Sequence, residues 1–389
     1  MGRVFLSIFS AKGPRSAMPT APDPRPTVVT WAASADRLGE AVADRTHRLV
    51  VRTSVGGRDL RVRLSNAFGE RPVTIGPVYV GTAAAGAEVG AGTNRPLTFD
   101  GAPSVTIPPG GAAHSDPLSG RFPARADLAV SLYVSDAAGT ATGHVRAGQT
   151  SYVAKGDQAA GHGPGPYIEQ TQSWLHLDAI TVRAEPGTTA VVTLGDSITD
   201  GSASTDDTNR RWPDFLARRL LADPAGGSVR GVANAGISGN MLLADGSGES
   251  ALHRLDRDVL SHAGVRTVVL LEGVNDTKAD PTPSARSMTA ALEEIAARVG
   301  AAGLRLAVGT IMPFHGWPAW SEAAEAVRQE VNAYIRTAGT FDAVIDFDRT
   351  MRDPRDPLRL LAEFDCGDHL HPNDAGMRAL AEAVDLGAL

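Results

Sequence analysis

The sequence predicts an α/β chain in which an all-β region, sandwich-like or jelly-roll-like, precedes a doubly wound domain with a parallel sheet. Its 389 residues exceed the usual size of one domain and suggest two. Residues 27–153 contain short apolar segments separated by Gly and Pro turns. Residues 189–389 alternate buried strand patterns with helical patterns. We therefore expect a disordered lead-in over 1–26, a β-rich accessory domain over 27–153, a connection over 154–188 and an α/β domain over 189–389.

The clearest strand patterns of the N-terminal region lie on either side of Gly56 and Gly57. Residues 49–55 are largely apolar, and residues 60–64 alternate Leu and Val with Arg. Two such segments joined by glycines predict a β-hairpin with one buried face. Further strands are predicted over 73–80, 105–107 and 128–134.

The C-terminal region carries apolar segments of strand length that are separated by helical patterns. Each segment predicts a buried parallel strand. The strands are predicted over 190–194, 229–233, 267–271, 304–310 and 343–347. The helices are predicted over 212–221, 284–299, 321–335 and 377–384. In such a sheet ligands bind at the carboxyl ends of the strands, so the residues that follow each strand are the candidates for function.

Composition and charge exclude several classes of function. The formal net charge of −7 is modest and the Arg residues are spread along the chain, so no nucleic-acid partner is expected. No segment approaches the roughly 18 apolar residues of a membrane span. The apolar run over 4–9 is too short for a secretory signal, which favours a cytoplasmic location over secretion. No feature of the sequence sets an oligomeric state.

Cysteine and histidine spacing gives no sign of a metal or cofactor. The single cysteine, Cys366, excludes an internal disulfide and is expected to be a small buried side chain. Four isolated histidines lack the spacing of zinc ligands, so surface or turn positions are expected for them. They are His114, His144, His162 and His315. We therefore expect no metal and no cofactor.

A serine follows the first predicted strand of the C-terminal region, in the segment Gly195, Asp196, Ser197. Gly195 permits a tight turn from strand to helix, and the N–H groups at the start of a helix can hold an oxyanion. A serine at this position is also a common helix cap. Ser197 is therefore a candidate nucleophile, with helix capping as the alternative.

The next two strands are followed by residues that can stabilise an oxyanion. Gly239 comes after the second strand and Asn275 after the third, at the same sheet edge as Ser197. Taken singly, both are more commonly turn residues. An acyl-transfer site, however, needs donors beside the N–H of its nucleophile, and a glycine N–H and an asparagine amide can supply them. Their shared position predicts an oxyanion hole of Ser197, Gly239 and Asn275.

The loop before the last helix contains Asp368, His369 and His371. A serine nucleophile needs a base, and the base needs a partner that fixes its tautomer. A short turn can bring the Asp368 carboxylate onto one nitrogen of His371 and leave the other free to reach Ser197. His369 is a competing base, but it lies only one residue from Asp368, so His371 is favoured.

These four segments resemble the four sequence blocks of the SGNH/GDSL hydrolases, and they appear in the family's order. The resemblance covers roughly residues 190–389. The blocks are Gly195-Asp196-Ser197, Gly239 within 236–240, Asn275 within 273–276, and Asp368 with His371 within 368–372. One departure is Val274, where many members carry a second glycine or a small polar residue before the asparagine. The β-rich region also resembles an N-terminal extension of some members.

The resemblance implies a serine carboxylic ester hydrolase of the GDSL esterase/lipase type that works through an acyl-enzyme. It assigns the catalytic triad to Ser197, Asp368 and His371, and the oxyanion hole to Ser197, Gly239 and Asn275. The expected partner is a small-molecule or carbohydrate ester, with deacetylation of sugars or small metabolites as one form of the reaction. The alternatives are an acyltransferase that uses the same Ser197 acyl-enzyme and a non-catalytic carbohydrate- or partner-binding protein.

Overall fold

The computed structural model describes residues 25–225 and 227–389. Strands dominate the chain up to Arg183, and strands alternate with helices after it. Most of the predicted lead-in over 1–26, including the apolar run over 4–9, lies outside the described residues. Among the helices in the described parts of the chain, none is both long and apolar enough to cross a membrane.

The described residues before the parallel sheet form short strands, as the sequence predicts. They are β1 (Thr27–Ala32), β2 (Asp36–Glu40), β3 (Arg45–Arg52), β4 (Gly57–Ser65), β5 (Val73–Thr82), β6 (Arg95–Leu97), β7 (Val105–Ile107), β8 (Ala112–His114), β9 (Leu118–Phe122), β10 (Asp127–Asp136), β11 (Thr140–His144), β12 (Ser151–Lys155), β13 (Glu169–Thr171), β14 (Trp174–Leu175) and β15 (Leu177–Arg183).

These strands pair into antiparallel sheets. A five-stranded sheet has the order β1-β15-β4-β8, with β9 also paired to β4. A seven-stranded sheet has the order β13-β12-β3-β10-β5-β6, with β7 also paired to β5, and a three-stranded sheet has the order β14-β11-β2. The strand-rich character of the region is confirmed, and its sandwich or jelly-roll arrangement stays a prediction.

The predicted hairpin around Gly56 and Gly57 is wrong, although both of its strands exist. β3 pairs with β10 and β12, whereas β4 pairs with β15, β8 and β9 in a different sheet. A two-residue hairpin turn needs a positive φ at its first central residue, and neither glycine adopts one. A Cβ on Gly56 would lie 2.7 Å from the Ala124 nitrogen. The chain crosses between sheets here, and alternation of apolar residues does not distinguish such a crossing from a hairpin.

The segment 154–188, predicted as a connection, is part of the N-terminal sheets. It contains β13, β14 and β15, and β15 lies between β1 and β4 and pairs with both. The prediction is wrong at this point because the Gly- and Pro-rich stretch before β13 is an excursion within the region and does not end it. The division of the chain into two domains stays a prediction.

Parallel strands form the sheet of the C-terminal region, and each matches a predicted strand. They are β16 (Thr189–Gly195), β17 (Val229–Gly236), β18 (Val265–Leu271), β19 (Arg305–Gly309) and β20 (Ala343–Ile345), followed by the antiparallel pair β21 (Arg352–Asp353) and β22 (Asp356–Leu360). β20 is shorter than predicted because the Asp346 side chain accepts a hydrogen bond from the Arg349 N–H and caps a helix that begins at Phe347.

Helices connect these strands. They are α1 (Ser197–Asp200), α2 (Trp212–Ala222), α3 (Ala251–Leu255), α4 (Val274–Thr277), α5 (Ala285–Ala301), α6 (Glu322–Thr337), α7 (Phe347–Met351) and α8 (Asp374–Ala383), with a π-helical turn at Asp256–Leu260 and a 3₁₀ turn at Leu386–Ala388. Helix α2 packs against α8, and α5 packs against α6. Of these, α2, α5, α6 and α8 correspond to the predicted helices.

The strand order places a ligand site at one edge of the parallel sheet. The order is β17-β16-β18-β19-β20. The strand β16 therefore lies between β17, which follows it in the sequence, and β18, which comes after β17. In doubly wound sheets the crevice at this reversal of strand order, outside the carboxyl ends, is where ligands bind. The loops that carry Ser197, Gly239 and Asn275 begin at the carboxyl ends of these three strands.

The N-terminal region covers the outer edge of β17. The Val232 N–H donates to Ser54 Oγ at 2.8 Å, and β1 packs against β17. Gly231 makes this approach possible, since a Cβ there would lie 2.5 Å from the Val29 carbonyl oxygen and 2.9 Å from Ala190 Cβ. The edge of the parallel sheet is thereby protected from pairing with other chains.

Replacing Gly231 with alanine is expected to lower the free energy of unfolding by about 1–3 kcal/mol, because the added methyl group overpacks the contact between β1 and β17. Gly300→Ala is the matched control, because a Cβ at Gly300 in α5 meets no atom within 4 Å. Alanine in that helix should stabilise the protein by about 0.5–1 kcal/mol. Urea unfolding followed by circular dichroism measures both. Equal stability of the two variants would contradict the close packing at β17.

Candidate active site

Ser197 is the first residue of α1, directly after Asp196 at the end of β16. The residue before it caps the helix, because the Asp196 side chain accepts a hydrogen bond from the Ile198 N–H at 2.9 Å. The Ser197 hydroxyl therefore does not cap the helix, so helix capping, the alternative role considered for Ser197, does not apply. Gly195 is needed at this turn, since a Cβ there would lie 2.3 Å from the Leu271 carbonyl oxygen.

Three side chains from distant parts of the sequence form a chain of hydrogen bonds. Ser197 Oγ lies 2.9 Å from His371 Nε2, and His371 Nδ1 lies 2.6 Å from Asp368 Oδ2. A carboxylate on Nδ1 favours the tautomer that carries its proton there. The Nε2 atom can then accept a proton from the serine hydroxyl.

The loop that carries Asp368 also orients its carboxylate. Asp368 Oδ1 accepts hydrogen bonds from the N–H groups of Leu370 and His371 at 2.9 and 2.8 Å, which leaves Oδ2 for the imidazole. Burial acts to raise the pKa of Asp368, but the hydrogen bonds from the backbone and ring of His371 and from Leu370 outweigh it and lower the pKa to about 2. The carboxylate is therefore charged at neutral and mildly acidic pH.

His369, the competing base, is bonded to a different carboxylate. Its Nδ1 lies 2.8 Å from Asp365 Oδ2, and its N–H donates to Asp365 Oδ1 at 3.0 Å. Its side chain is 44% exposed, against 17% for His371. The structure thus joins His371, and not His369, to Ser197.

Gly239 lies in the loop after β17 and Asn275 in the short helix α4 after β18, and these two segments are bonded to each other. The Asn275 side-chain amide donates to the Asn240 carbonyl at 2.8 Å. Gly239 has a φ of +82°, and a Cβ there would lie 2.7 Å from Ser247 Oγ, so the turn requires glycine. Within the described residues, the N–H groups of Ser197 and Gly239 have no hydrogen-bond partner. Free N–H groups of this kind can bind a developing oxyanion.

Two aspartates that the sequence patterns did not indicate hold the loop around Gly239. Asp200, the last residue of α1, accepts hydrogen bonds through Oδ2 from the N–H and the hydroxyl of Ser238, at 3.0 and 2.6 Å. Asp276 accepts hydrogen bonds from the N–H groups of Leu242 and Leu243 at 2.8 and 3.0 Å. Asp276 stands inside the block over 273–276 and Asp200 lies three residues after Ser197, but only the folded loop shows which N–H groups reach them.

Two further acids are buried beside the nucleophile. Burial raises the pKa of both Asp196 and Glu272, and the charge of Asp196 raises that of Glu272 further. One carboxyl oxygen of Glu272 is buried without a hydrogen-bond partner. Burial lowers the pKa of Lys278, while the charges of Asp196, Asp368 and Glu272 oppose this shift. Both carboxyl groups therefore ionise less readily than exposed ones, and Lys278 is the cation near them.

Trp317 lies against the imidazole of His371. The two ring centroids are 5.9 Å apart and the ring planes are nearly perpendicular. Lys278 Nζ lies 5.1 Å from the centroid of the Trp317 ring, in a cation–π contact. The Trp317 ring therefore covers one side of the base and limits the directions from which a substrate can approach it.

Two expectations about isolated residues are wrong. Cys366 is exposed, because it sits in the surface loop before Asp368, where its N–H donates to the His371 carbonyl oxygen at 3.0 Å. His144 is buried, with 4% of its surface exposed, because the end of β11 lies against α1 and Asp200 bonds to its ring.

Comparison with known proteins assigns the C-terminal region to a protein family. Residues 193–379 match the family model described as GDSL-like Lipase/Acylhydrolase family. The C-terminal region is a GDSL-type esterase/lipase domain. The match supports, for this region, the carboxylic ester hydrolase type that the sequence resemblance implied. No curated protein matches the chain at a significant level.

Solved structures of esterases are similar to about half of the chain. An aryl esterase of M. smegmatis is 18% identical, with 50% of this chain and 96% of that chain covered and a TM-score of 0.41. A carbohydrate acetylesterase from Sinorhizobium meliloti is 16% identical, with 50% of this chain and 96% of that chain covered and a TM-score of 0.39.

The low pKa of Asp368 predicts a pH-dependent contribution to stability. A carboxyl group whose pKa is lowered by folding stabilises the folded protein above its unfolded pKa, and this contribution is lost as the pH falls through the folded value. Wild type is therefore expected to be more stable than Asp368→Asn above about pH 4, with the difference shrinking toward pH 2.

Urea unfolding at a series of pH values measures this difference. Asp136→Asn, which removes an exposed carboxylate at the end of β10, controls for the loss of one negative charge. A stability difference for Asp368→Asn that does not change between pH 5 and pH 2 would show that the carboxylate is not held in its charged form.

Proposed function

We propose that this GDSL-type domain hydrolyses carboxylic esters through an acyl-enzyme, with Ser197 as nucleophile and His371 as base. The observation that carries the proposal is the continuous hydrogen-bond chain from Ser197 Oγ through His371 to Asp368, at 2.9 and 2.6 Å. A serine hydroxyl with its ordinary pKa is a poor nucleophile. These two hydrogen bonds supply both the base and the group that orients the base.

Acylation begins when Ser197 Oγ attacks the ester carbonyl carbon and His371 Nε2 takes the hydroxyl proton. The carbonyl oxygen becomes an oxyanion, for which the N–H groups of Ser197 and Gly239 and the free N–H of the Asn275 amide are the donors. The bond to the alcohol oxygen then breaks, and His371 returns the proton to that oxygen. Asp368 keeps its charge and stabilises the imidazolium during this step.

Deacylation repeats the same steps with water. His371 takes a proton from the water as it attacks the acyl carbon, and the second tetrahedral intermediate collapses to the free acid. The proton returns to Ser197 Oγ. The His371 side chain is 17% exposed, so solvent water has access to the base.

The substrate class we propose is esters of short acyl groups, such as acetyl, on sugars or other small alcohols. Trp317 beside His371 narrows the space around the base, which favours small acyl groups over long lipid chains. A panel of acetyl, butyryl and octanoyl p-nitrophenyl esters together with acetylated sugars tests this class. Highest kcat/KM on the octanoyl ester would overturn it.

Ser197→Ala is expected to reduce hydrolysis of p-nitrophenyl acetate to near background, because no other described hydroxyl is bonded to His371. His371→Ala should be similarly impaired, whereas His369→Ala, the matched histidine in the same loop, should keep near-normal kcat. A fluorophosphonate should label wild type at Ser197 and fail to label Ser197→Ala. Retention of activity by Ser197→Ala would contradict the nucleophile assignment, and failure to label wild type would favour a non-catalytic binding protein.

Asn275→Ala is expected to lower kcat by about 100- to 1,000-fold with a smaller change in KM, because the amide contacts the oxyanion only as it develops. Asn94→Ala, which alters an asparagine amide in the N-terminal region, is the control and should keep wild-type kcat. An equal effect on kcat and on ground-state binding would argue against the oxyanion role.

The acyl-enzyme can also pass its acyl group to an alcohol other than water, which would make the protein an acyltransferase. Product analysis in water with an acceptor alcohol present separates the two reactions. Hydrolysis predicts free acid as the main product, whereas transfer predicts a substantial yield of the new ester.

A further inference from the structure

His144 occupies an unusual position for a buried histidine, because acceptors face both of its ring nitrogens. Its Nδ1 lies 2.9 Å from the Ser34 carbonyl oxygen. Its Nε2 lies 2.8 Å from Asp200 Oδ1 and 2.9 Å from the Arg146 carbonyl oxygen. Carbonyl and carboxylate oxygens only accept hydrogen bonds, so both ring nitrogens must carry protons for these bonds to form.

The charge of this imidazolium is balanced locally. Burial acts to lower the pKa of His144, but the Asp200 carboxylate and the two carbonyl acceptors outweigh it, so the pKa is raised above its ordinary value of 6.5. Further charged groups near this pair are Arg211, bonded to Asp214 at 2.7 Å, and Arg254, bonded to the Ser34 hydroxyl at 2.9 Å and paired with Asp258 at 3.3 Å.

Asp200 transmits this contact to the proposed oxyanion loop. Its Oδ1 is held by His144, and its Oδ2 accepts both the N–H and the hydroxyl of Ser238. Ser238 directly precedes Gly239, and Asp200 lies in the same short helix as Ser197. A carboxylate fixed at one oxygen by a buried cation therefore sets the distance between the nucleophile helix and the loop that carries Gly239.

We propose that His144, as a buried imidazolium supplied by the N-terminal β region, is a positioning residue that fixes Asp200 and through it the Gly239 loop of the oxyanion hole. The proposal rests on the ester-hydrolase function proposed above for Ser197. It gives the N-terminal region a role in turnover, since the His144 side chain at the end of β11 bonds to Asp200 in the nucleophile helix.

The first test is the kinetics of His144→Gln. Glutamine removes the positive charge and cannot donate at both ends as the imidazolium does, so the Ser238–Gly239 loop should lose its fixed distance from Ser197. Displacement of a catalytic group by about 1 Å can cost about 100-fold in rate, so kcat on p-nitrophenyl acetate is expected to fall about 10- to 100-fold with little change in KM. His253→Gln is the matched control, because His253 pairs with Asp245 on the surface.

Active-site titration with a fluorophosphonate separates positioning from folding. The rate is expressed per labelled Ser197, so that a loss of folded protein does not count as a loss of kcat. A fall in kcat per labelled site supports the proposal. A fall only in the number of labelled sites, or a kcat per site equal to that of His253→Gln, overturns it.

The second test is the charge state of His144 in the folded protein, which a purely space-filling role would not require. In ¹⁵N-histidine-labelled protein, with His144→Gln used to assign the signals, both ring nitrogens of His144 should remain protonated above pH 6.5, because the pKa of this histidine is raised. Asp200→Asn, which keeps the size of the side chain, should shift this titration to lower pH. A neutral His144 at pH 6.5 in wild type would overturn the proposal.

The failure of this inference is distinguishable from failure of the proposed function. If fluorophosphonate labels Ser197 and Ser197→Ala is inactive while His144→Gln keeps full kcat per site, only the positioning role is lost. If wild type is not labelled, the ester-hydrolase mechanism itself is lost.

Discussion

The arrangement of the strand ends depends on the buried guanidinium of Arg254. Its side chain is fully enclosed, and a charge in such a place is tolerated only when acceptors surround it. Arg254 donates to the carbonyl oxygens of Gly195 and Ala235, at the ends of β16 and β17, and to the side chains of Asn240 and Ser34. One cation thereby holds the turn before the nucleophile, the start of the Gly239 loop and the N-terminal region in fixed positions.

The two regions of the chain meet at this point, and the proposed site is built where they meet. The Ser34 hydroxyl accepts a hydrogen bond from Arg254, and the Ser34 carbonyl oxygen accepts one from His144. A single residue of the β region therefore joins two buried cations. The Gly239 loop is held from one side by Asp200 and from the other by Asp276. The base comes from a third segment of the chain, since His371 lies 174 residues after Ser197. A nucleophile, a base and oxyanion donors can then be rigid without being close in sequence.

Much of the C-terminal region could be predicted because its signals are local. A buried parallel strand is a continuous apolar run, so β16 to β20 were visible, and the rule that ligands bind at carboxyl ends pointed to Ser197, Gly239 and Asn275. The N-terminal region was harder. Alternation identified β3 and β4 but not their partners, and the glycines between them fit a sheet crossing as well as a hairpin. The strand β15 was missed for a related reason, since its pairing with β1 depends on residues far away in the chain.

The sequence by itself determined the class of the protein, because residue types at strand ends carry the chemistry of an ester hydrolase and the GDSL family model matches the same segment. Only the tertiary structure decided which groups act on one another. It bonds His371 and not His369 to Ser197, and it makes Asp196 the helix cap. It also buries His144 with acceptors at both of its ring nitrogens. The physical reason is that hydrogen-bond partners and burial are properties of the folded chain, and residues of one type that look alike in sequence differ only in what surrounds them.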